Sequence, residues 1–343
     1  MKMRNAFIFF FCVLALAFVS SQHYPSFYPT HFPTATYNFD KNPLDSMQIT
    51  LGRALFYDPI LSKDSTISCA SCHSPYNSFA HSDHDLSHGI NNQIGKRNAP
   101  ALFNLAWHKN FMWDGAVNHL EVQALSPISN PIEMDENIAH LVEKLSHSAL
   151  YKTLAWQAYG DSLLTGEYIL KSLAQFQLTL VSANALYDKV KQGKASYNLQ
   201  QEKGYRLFLQ YCNACHTEPL FSNFSFANNG LAPDSTLNDA GRWEISKFAS
   251  DSLLFKVPSL RNLSYTYPYM HDGRFKKLYQ VLNHYSSGIT QSATLSPLLQ
   301  GNLPLSAENK VDIIAFLLTL NDSSFVFTSA HQFPQKIFFP AKE

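Results

Sequence analysis

The motif C-x-x-C-H occurs twice in the sequence, as Cys69–Ala70–Ser71–Cys72–His73 and as Cys212–Asn213–Ala214–Cys215–His216. Two cysteines at this spacing can form thioether bonds to haem vinyl groups, and the histidine that follows can bind the haem iron. A lone C-x-x-C also occurs in thiol redox centres and zinc sites. A zinc site built from the four cysteines would leave both histidines without a role. The two motifs therefore predict two covalently bound c-type haems.

The N-terminal residues have the pattern of an export signal. Lys2 and Arg4 precede an apolar run from residue 6 to residue 19, and Val19 and Ser21 offer the small side chains that a signal peptidase reads. We expect residues 1–21 to be a signal peptide cleaved near Ser21, and the protein to be periplasmic. The alternative is a retained anchor, but the run is shorter than the roughly 17–25 residues that span a bilayer. No membrane span is expected after cleavage.

Cysteine usage and charge support this interpretation. Cys12 lies in the apolar run, so each of the other four cysteines belongs to a haem motif and none is spare in an oxidising compartment. Without the signal peptide the chain keeps 24 basic and 26 acidic residues, for a formal charge of −2. A nucleic-acid partner is excluded because the basic surface that such a partner requires is missing.

Sequence patterns around the first motif recur around the second. Residues 52–56 (GRALF) and 204–208 (GYRLF) share G-x-x-L-F, which places one small and two large apolar residues on one helical face. We expect this face to lie against a haem edge. Downstream, Arg97-Asn98 is followed by FMWDG, and Arg261-Asn262 is followed by YMHDG. We align these two Arg-Asn pairs with each other.

The repeat predicts an all-α protein made of two cytochrome c-type haem domains that are related by internal duplication and pack face to face. The predicted domains are residues 22–185 and 186–343. Apolar spacing predicts helices over residues 168–181 and 306–320, with Ser306 as the N-cap of the second, and helical stretches beginning at Leu120 and Leu278. Residues 22–43 are rich in aromatics, Pro and Thr, and we expect them to form an extended surface arm.

From about Leu51 to Leu320 the chain resembles the bacterial di-haem cytochrome c peroxidase and MauG-like family. The resemblance implies that the N-terminal haem reacts with peroxide and that the C-terminal haem receives electrons from a donor protein. It rests on these strings: RNAP at 97–100, FMWDG at 111–115, LE-x-Q at 120–123, NP-x-EM at 130–134, P-x-LRN at 258–262 and PYMHDG at 268–273.

The same resemblance assigns roles to residues near the first haem. It makes Glu133 the group that moves a proton between the peroxide oxygens, and Gln123 a neighbour that orients peroxide or water. Trp113 matches the tryptophan that lies between the haems as an electron relay. His271 matches a histidine that contacts a haem propionate or the junction, without binding iron.

The iron ligands opposite His73 and His216 are less uniform in this family. His88, in Ser87-His88-Gly89, resembles a loop histidine that binds the first iron in the resting state, but it lies one residue nearer to His73 than usual. The alternative is a solvated loop histidine. Tyr285 falls where the peroxidases have a methionine ligand and MauG-like proteins have a tyrosine. Met270 and His284 remain alternatives to Tyr285.

A calcium ion between the domains is also implied by the resemblance. Its ligands would be the Asn98 side chain and the backbone carbonyls of Thr266 and Pro268, since oxygen donors suit this hard cation.

Three functions follow from these patterns. The leading one is reduction of hydrogen peroxide to water with electrons from a small periplasmic cytochrome c or copper protein. The second is a MauG-like oxidase that acts on a protein or a small organic molecule. The third is a non-enzymatic di-haem electron carrier, which would need neither Glu133 nor Gln123. A homodimer is considered, and the sequence leaves the oligomeric state open.

Overall fold

The computed structural model describes residues 28–340, so the predicted signal peptide and the cleavage point near Ser21 lie outside the described residues. Helices form nearly all of the regular structure. In chain order they are α1 (Ser46–Tyr57), α2 (Cys69–Cys72), α3 (Leu120–Gln123), α4 (Leu125–Ser129), α5 (Ile138–Ser146), α6 (Ala149–Tyr159), α7 (Gly166–Leu178), α8 (Leu186–Lys191), α9 (Leu199–Tyr211), α10 (Trp243–Ser246), α11 (Leu278–Ser287), α12 (Ala307–Leu317), α13 (Ser323–Val326) and α14 (Gln335–Phe338).

Two short strands accompany the helices. Strand β1 (Phe226–Ala227) pairs antiparallel with β2 (Phe255–Lys256). The prediction of an all-α protein is therefore only approximately right, and the fold is better described as helix-rich.

Helices α1 and α7 cross at Gly52. A Cβ atom on Gly52 would lie 1.8 Å from the carbonyl oxygen of Ser172 in α7, so glycine is required for this close approach of the two backbones. Leu55 and Phe56, on the same face of α1, are buried in the core that the two helices share. The glycine-bearing face of GRALF therefore packs against α7, a contact that the sequence did not predict.

The same crossing recurs between α9 and α12 in the second half of the chain. A Cβ atom on Gly204 would lie 1.9 Å from the carbonyl oxygen of Asp312 in α12. Phe208 of α9 and Phe316 of α12 are buried beside it in a second hydrophobic core. The two G-x-x-L-F sequences therefore mark equivalent helix crossings.

Hydrogen bonds at two left-handed asparagines reveal the register of the repeat. Asn104 and Asn262 have φ angles of 55° and 62°, a region that asparagine tolerates better than most residues. The Asn104 side-chain oxygen accepts from Ser182 N, and the Asn262 side-chain oxygen accepts from Asp322 N. Asn262 therefore corresponds to Asn104 and not to Asn98, so the alignment of the two Arg-Asn pairs was wrong.

Most of the predicted helix positions are confirmed. Helix α7 lies largely within the predicted range 168–181, and α3 and α11 begin at Leu120 and Leu278. Ser306 caps α12, since its hydroxyl accepts from Asn309 N at 3.1 Å. Over residues 28–340, no helix is both long enough and apolar enough to cross a membrane.

The described part of the aromatic segment, residues 28–43, does not form the expected surface arm. Tyr28, Phe32 and Phe39 are buried, and the Tyr28 ring stacks on Trp107 with 5.1 Å between the ring centroids. The expectation treated the segment as solvated because of its Pro and Thr content, but burying its large aromatic rings removes apolar surface from water.

The C-terminal tail (residues 323–340) returns to the first half of the molecule. Phe325 and Val326 are buried in the first core, with the α1 and α7 residues. The Arg53 guanidinium in α1 donates to the carbonyl oxygens of Ser329 and Gln332. The tail is thereby attached to α1.

Candidate active site at the two haem-attachment motifs

The first motif has the geometry that haem attachment requires. Cys69 and Cys72 bound the one-turn helix α2, and neither is in a disulfide. His73 Nδ1 donates to the carbonyl oxygen of Phe79 at 2.9 Å, which leaves Nε2 available for iron. Burial lowers the pKa of His73 to about 4, so the ring is neutral, as an iron ligand must be.

The second motif has the same features. Cys212 and Cys215 are also free of disulfides. His216 Nδ1 lies 3.2 Å from the carbonyl oxygen of Phe221 and 3.1 Å from that of Pro258, and again Nε2 remains for iron. Burial lowers the pKa of His216 to about 4. Both motifs therefore fit a c-type haem held by two thioethers and one imidazole.

Glu133 lies beside the first motif. Its carboxylate accepts from Asn130 Nδ2 at 2.8 Å, and its backbone N–H donates to the Asn130 carbonyl. Burial raises the pKa of Glu133 above the ordinary range of a glutamate. The Cys72 thiol has a pKa of about 11 because it is buried and because the Glu133 carboxylate is close. The N-P-x-E-M turn thus brings a proton-carrying group to the first haem-attachment site.

The loop that carries His88 packs against the same turn. Ile90 N donates to the Glu133 carbonyl at 2.8 Å, and the His88 carbonyl oxygen lies 3.4 Å from Cys72 Sγ. The His88 ring lies beside those of His84 and His81, with centroid distances of 4.2 and 6.5 Å. The backbone of His88 is therefore at the first site. Among residues 28–340 no group of three or more His, Cys, Asp or Glu side chains is arranged to hold a metal ion.

Gln123 contacts the FMWDG turn, which contains Trp113. Gln123, at the end of α3, is buried with its Nε2 3.7 Å from Met112 Sδ. Trp113 Nε1 donates to the Asn98 carbonyl at 2.8 Å, and the Trp113 carbonyl accepts from Lys256 N at 2.7 Å. Because Lys256 belongs to β2, Trp113 lies where the first half of the chain meets the second.

An ion-pair cluster beside Trp113 was not predicted from the sequence. Arg97 makes a two-point contact with the Asp239 carboxylate, at 2.7 Å for both bonds, and also pairs with Asp114. The Arg97 guanidinium helps to hold the pKa of Asp239 below its usual range. No sequence pattern could have joined Arg97 to Asp239, since the two are 142 positions apart.

Tyr285 lies beside the second motif. Burial raises the pKa of Tyr285 to about 12, and the nearby Cys212 and Cys215 thiols add to the rise. The Asn229 side chain also forms a hydrogen bond with Tyr285. His284 Nε2 is hydrogen-bonded to the Asn229 carbonyl at 3.0 Å, and Asn229 Nδ2 contacts Met270 Sδ at 3.5 Å.

Tyr285 is thus close to both haem cysteines. Asn229, which contacts all three candidate ligands, was not predicted because it stands in an ordinary Asn-Asn-Gly sequence.

The candidate calcium ligands lie near His271. Asn98 N donates to the His271 carbonyl at 2.7 Å, which holds Asn98 beside the loop that contains Thr266 and Pro268. Asn98 Nδ2 donates to the Asp85 carbonyl at 3.0 Å, so its side-chain oxygen remains available to a cation. The His271 ring stacks on Phe255 with 3.7 Å between centroids, and burial lowers its pKa to about 4.

Comparison with known proteins gives a consistent result. A sequence model of the family described as di-haem cytochrome c peroxidase matches residues 46–196. The methylamine utilization protein MauG of Methylorubrum extorquens is 37% identical over 294 residues, which cover 81% of this chain and 79% of that protein. Cytochrome c peroxidase Ccp of Escherichia coli is 35% identical over 289 residues, 82% of this chain and 59% of the relative.

A solved structure agrees with these relatives. A MauG-like protein associated with microbial copper homeostasis superposes with a TM-score of 0.82 at 29% identity, covering 91% of this chain and 99% of the other. Together with the two haem motifs, these similarities favour an enzyme over a simple electron carrier. The chain belongs to the family of di-haem cytochrome c peroxidases and MauG-like proteins, which are haem-dependent oxidoreductases.

Proposed function

We propose that the protein reduces hydrogen peroxide to water with electrons from a small redox protein, either a cytochrome c or a copper protein. The observation that carries this proposal is the position of Glu133. A partly buried carboxyl group with a raised pKa lies beside Cys72, at the first haem motif. Electron transfer alone needs no proton-carrying group at this place, whereas cleavage of peroxide does.

The proposed chemistry assigns distinct tasks to the residues around Cys72. The haems supply iron that exchanges electrons, and the first also supplies a coordination position for peroxide. Glu133 takes a proton from one peroxide oxygen and returns it to the other, while Asn130 Nδ2 fixes its carboxylate. Gln123 orients peroxide, and Trp113 relays electrons between the haems. One peroxide molecule, two electrons and two protons give two water molecules.

The test is the variant Glu133→Gln, which keeps the shape of the side chain and removes the proton acceptor. Peroxide turnover with a reduced one-electron donor should fall by about 10²–10⁴-fold, the usual contribution of general acid–base catalysis. The matched control is Glu143→Gln, an exposed position on α5 that should keep full activity. Unchanged turnover in Glu133→Gln would remove the assignment, and no turnover by the wild type with any one-electron donor would remove the proposed reaction.

A second candidate function is favoured by Tyr285, which we propose as the iron ligand opposite His216. A phenolate is a hard, anionic donor, so it stabilises more oxidised iron than a thioether does. This property suits a MauG-like oxidase that acts on a partner protein or a small organic molecule. Under this proposal His216 and Tyr285 would hold the second haem, and the haem pair would supply a long-lived oxidant after peroxide is added.

The variant Tyr285→Met tests this candidate. The expected result is loss of the long-lived state and a rise in the midpoint potential of the second haem, with the first haem unchanged. Tyr279→Phe, an exposed tyrosine in the same helix, is the control. If the second haem has the same spectrum and potential in Tyr285→Met as in the wild type, Tyr285 is not the ligand.

We also propose a calcium ion held by the Asn98 side chain and the carbonyls of Thr266 and Pro268. Support comes from the hydrogen bond that keeps Asn98 beside the loop of the other two residues. Chelation should lower the melting temperature, and Ca²⁺ should restore it more effectively than Mg²⁺, which is smaller and demands stricter geometry. Asn98→Ala should abolish this dependence. A melting temperature that chelation leaves unchanged would contradict the site.

The remaining proposals concern organisation and location. We propose that the protein is exported to the periplasm after cleavage near Ser21, and that residues 22–185 and 186–343 form two haem domains that face each other. The two separate hydrophobic cores support two domains, and the bond between Lys256 N and the Trp113 carbonyl joins them. The tail (residues 323–340) belongs to the second segment by sequence but packs in the first core. N-terminal sequencing of the mature protein tests the cleavage point.

A further inference from the structure

Phe79 connects His73 to the C-terminal tail. Its carbonyl oxygen accepts the Nδ1–H of His73 at 2.9 Å, and its backbone has a positive φ of 59°. The side chain is fully buried. A shift of the Phe79 ring therefore also moves the Phe79 carbonyl that accepts from His73. The ring and the carbonyl belong to one residue, whose backbone conformation is restricted.

The Phe79 ring is held from two sides. On one side it meets Phe56 of α1 and Phe176 of α7, with centroid distances of 5.8 and 6.3 Å. On the other side it meets Phe325 and His331 of the C-terminal tail, at 6.0 and 5.8 Å. Two of these four aromatic neighbours of Phe79 thus lie more than 240 positions further along the chain.

His331 is fixed in this contact by several bonds. Its Nδ1–H donates to the Phe325 carbonyl at 2.8 Å, and its ring packs against the Phe325 ring at 4.7 Å. Its own carbonyl accepts from the Tyr57 hydroxyl, and Arg53 holds the neighbouring Ser329 carbonyl at 2.7 Å. The tail is thereby tied to α1 on both sides of the ring that touches Phe79.

Within residues 28–340, the phenylalanine at the second motif has no aromatic contact with the first core. Phe221, whose carbonyl lies by His216 Nδ1, also has a positive φ, of 55°. Its ring is enclosed by Tyr187, Phe208 and Phe316, which all belong to the second core.

We propose that the C-terminal tail, through the ring of His331, positions the Phe79 carbonyl and so sets the strength of its hydrogen bond to His73. His331 is thus a positioning residue for the first haem alone. A metal-bound imidazole whose Nδ1–H is well hydrogen-bonded is a stronger electron donor to the metal. The tail therefore lowers the potential of the first haem and leaves that of the second unaffected. This inference rests on the proposed role of His73 as a ligand of the peroxide-reacting haem.

The experiment measures the midpoint potential of each haem in the holoprotein, together with the iron–histidine vibration of the reduced first haem. In His331→Ala the potential of the first haem should rise and the vibration should weaken, while the second haem stays as in the wild type. His331→Phe, which restores a ring against Phe79, should recover most of both values. Should the alanine variant be too unstable to isolate, His331→Leu, which also lacks the ring, serves the same comparison.

Phe333→Ala is the matched control, because Phe333 lies in the same tail but packs on Tyr57 and Phe338 instead of Phe79. It should leave both haems unchanged. The proposal is overturned if His331→Ala leaves the first haem unchanged, if both haems shift together, or if Phe333→Ala gives the same shift. The potentials are measured without peroxide. A wild type that fails to consume peroxide would therefore refute the proposed function, while the comparison of midpoint potentials between the variants would still test this proposal.

Discussion

The two haem-attachment regions share one arrangement and differ in what surrounds it. His73 and His216 each have Nδ1 beside a phenylalanine carbonyl, and burial keeps both imidazoles neutral. In the first region Glu133 lies beside the motif, and the C-terminal tail packs on the phenylalanine that accepts from the histidine. In the second region Tyr285 lies beside the motif, and the corresponding phenylalanine packs within the second core. The two regions thus have equivalent local structure but different functional side chains beside it.

The residues that precede the two left-handed asparagines make the difference concrete. Phe103 precedes Asn104 and packs on Phe325 of the tail, at 6.0 Å between centroids. Arg261 precedes Asn262 and forms a fully buried ion pair with Asp188, at 2.7 and 2.9 Å. The residue before the asparagine therefore contacts the tail in the first half and forms an internal salt bridge in the second half.

The largest effect on stability is expected from breaking that salt bridge. Arg261→Gln removes the guanidinium and leaves the buried Asp188 carboxylate with only His31 and the Ala185 N–H as partners. Removing one member of a buried pair costs about 3–5 kcal/mol. Urea unfolding followed by haem absorbance should show this loss. The control is Arg206→Gln, which breaks an exposed pair with Glu202 worth about 0.3–0.5 kcal/mol. A loss in Arg261→Gln as small as the control's would contradict the account.

A smaller and equal effect is expected at the two helix crossings. Gly52→Ala and Gly204→Ala each force a Cβ atom against a backbone carbonyl, and overpacking of this kind costs about 1–3 kcal/mol. Because the crossings are equivalent, the two losses in the free energy of unfolding should be similar. Gly301→Ala, where the added Cβ meets nothing within 4 Å, should be neutral. A large loss in the free energy of unfolding at only one crossing would show that the two helix crossings are not equivalent.

The smallest expected effect is on the pH dependence of kcat/KM, and it arises only from Glu133 at the first haem-attachment motif. Glu133 must be deprotonated to accept a proton from peroxide, and burial raises its pKa above the usual 4.5. The value of kcat/KM should therefore fall as the pH is lowered, with a midpoint above 4.5. This acid limb should disappear in Glu133→Gln and persist in Tyr285→Met. A wild-type profile that stays flat down to pH 4.5 would contradict the role of Glu133.

Local features could be predicted from the sequence, because neighbouring residues determine them. The C-x-x-C-H motifs, the Ser306 cap and the starts of α3 and α11 depend on a few consecutive side chains. The G-x-x-L-F pattern identified the correct residues but not their contact, since the close approach of Gly52 to Ser172 is a property of two packed helices.

Features that depend on distant pairs or on backbone angles were missed. The register of the repeat is an exception, because P-x-L-x-N-L at 100–105 and 258–263 already displays it in the sequence, where it was overlooked. The contact of His331 with Phe79 and the pairing of Arg97 with Asp239 join residues far apart in the chain. Such pairings become visible only once the chain is folded.

The central claim is that the two haems are attached alike and function differently. A redox titration followed by optical and EPR spectra, with Tyr285→Met titrated in parallel, tests it most directly. We predict two haems with separate potentials, of which only the second changes in Tyr285→Met, while added peroxide reacts at the other. Two haems with the same potential and ligand set, or a Tyr285→Met variant that alters both equally, would contradict the claim.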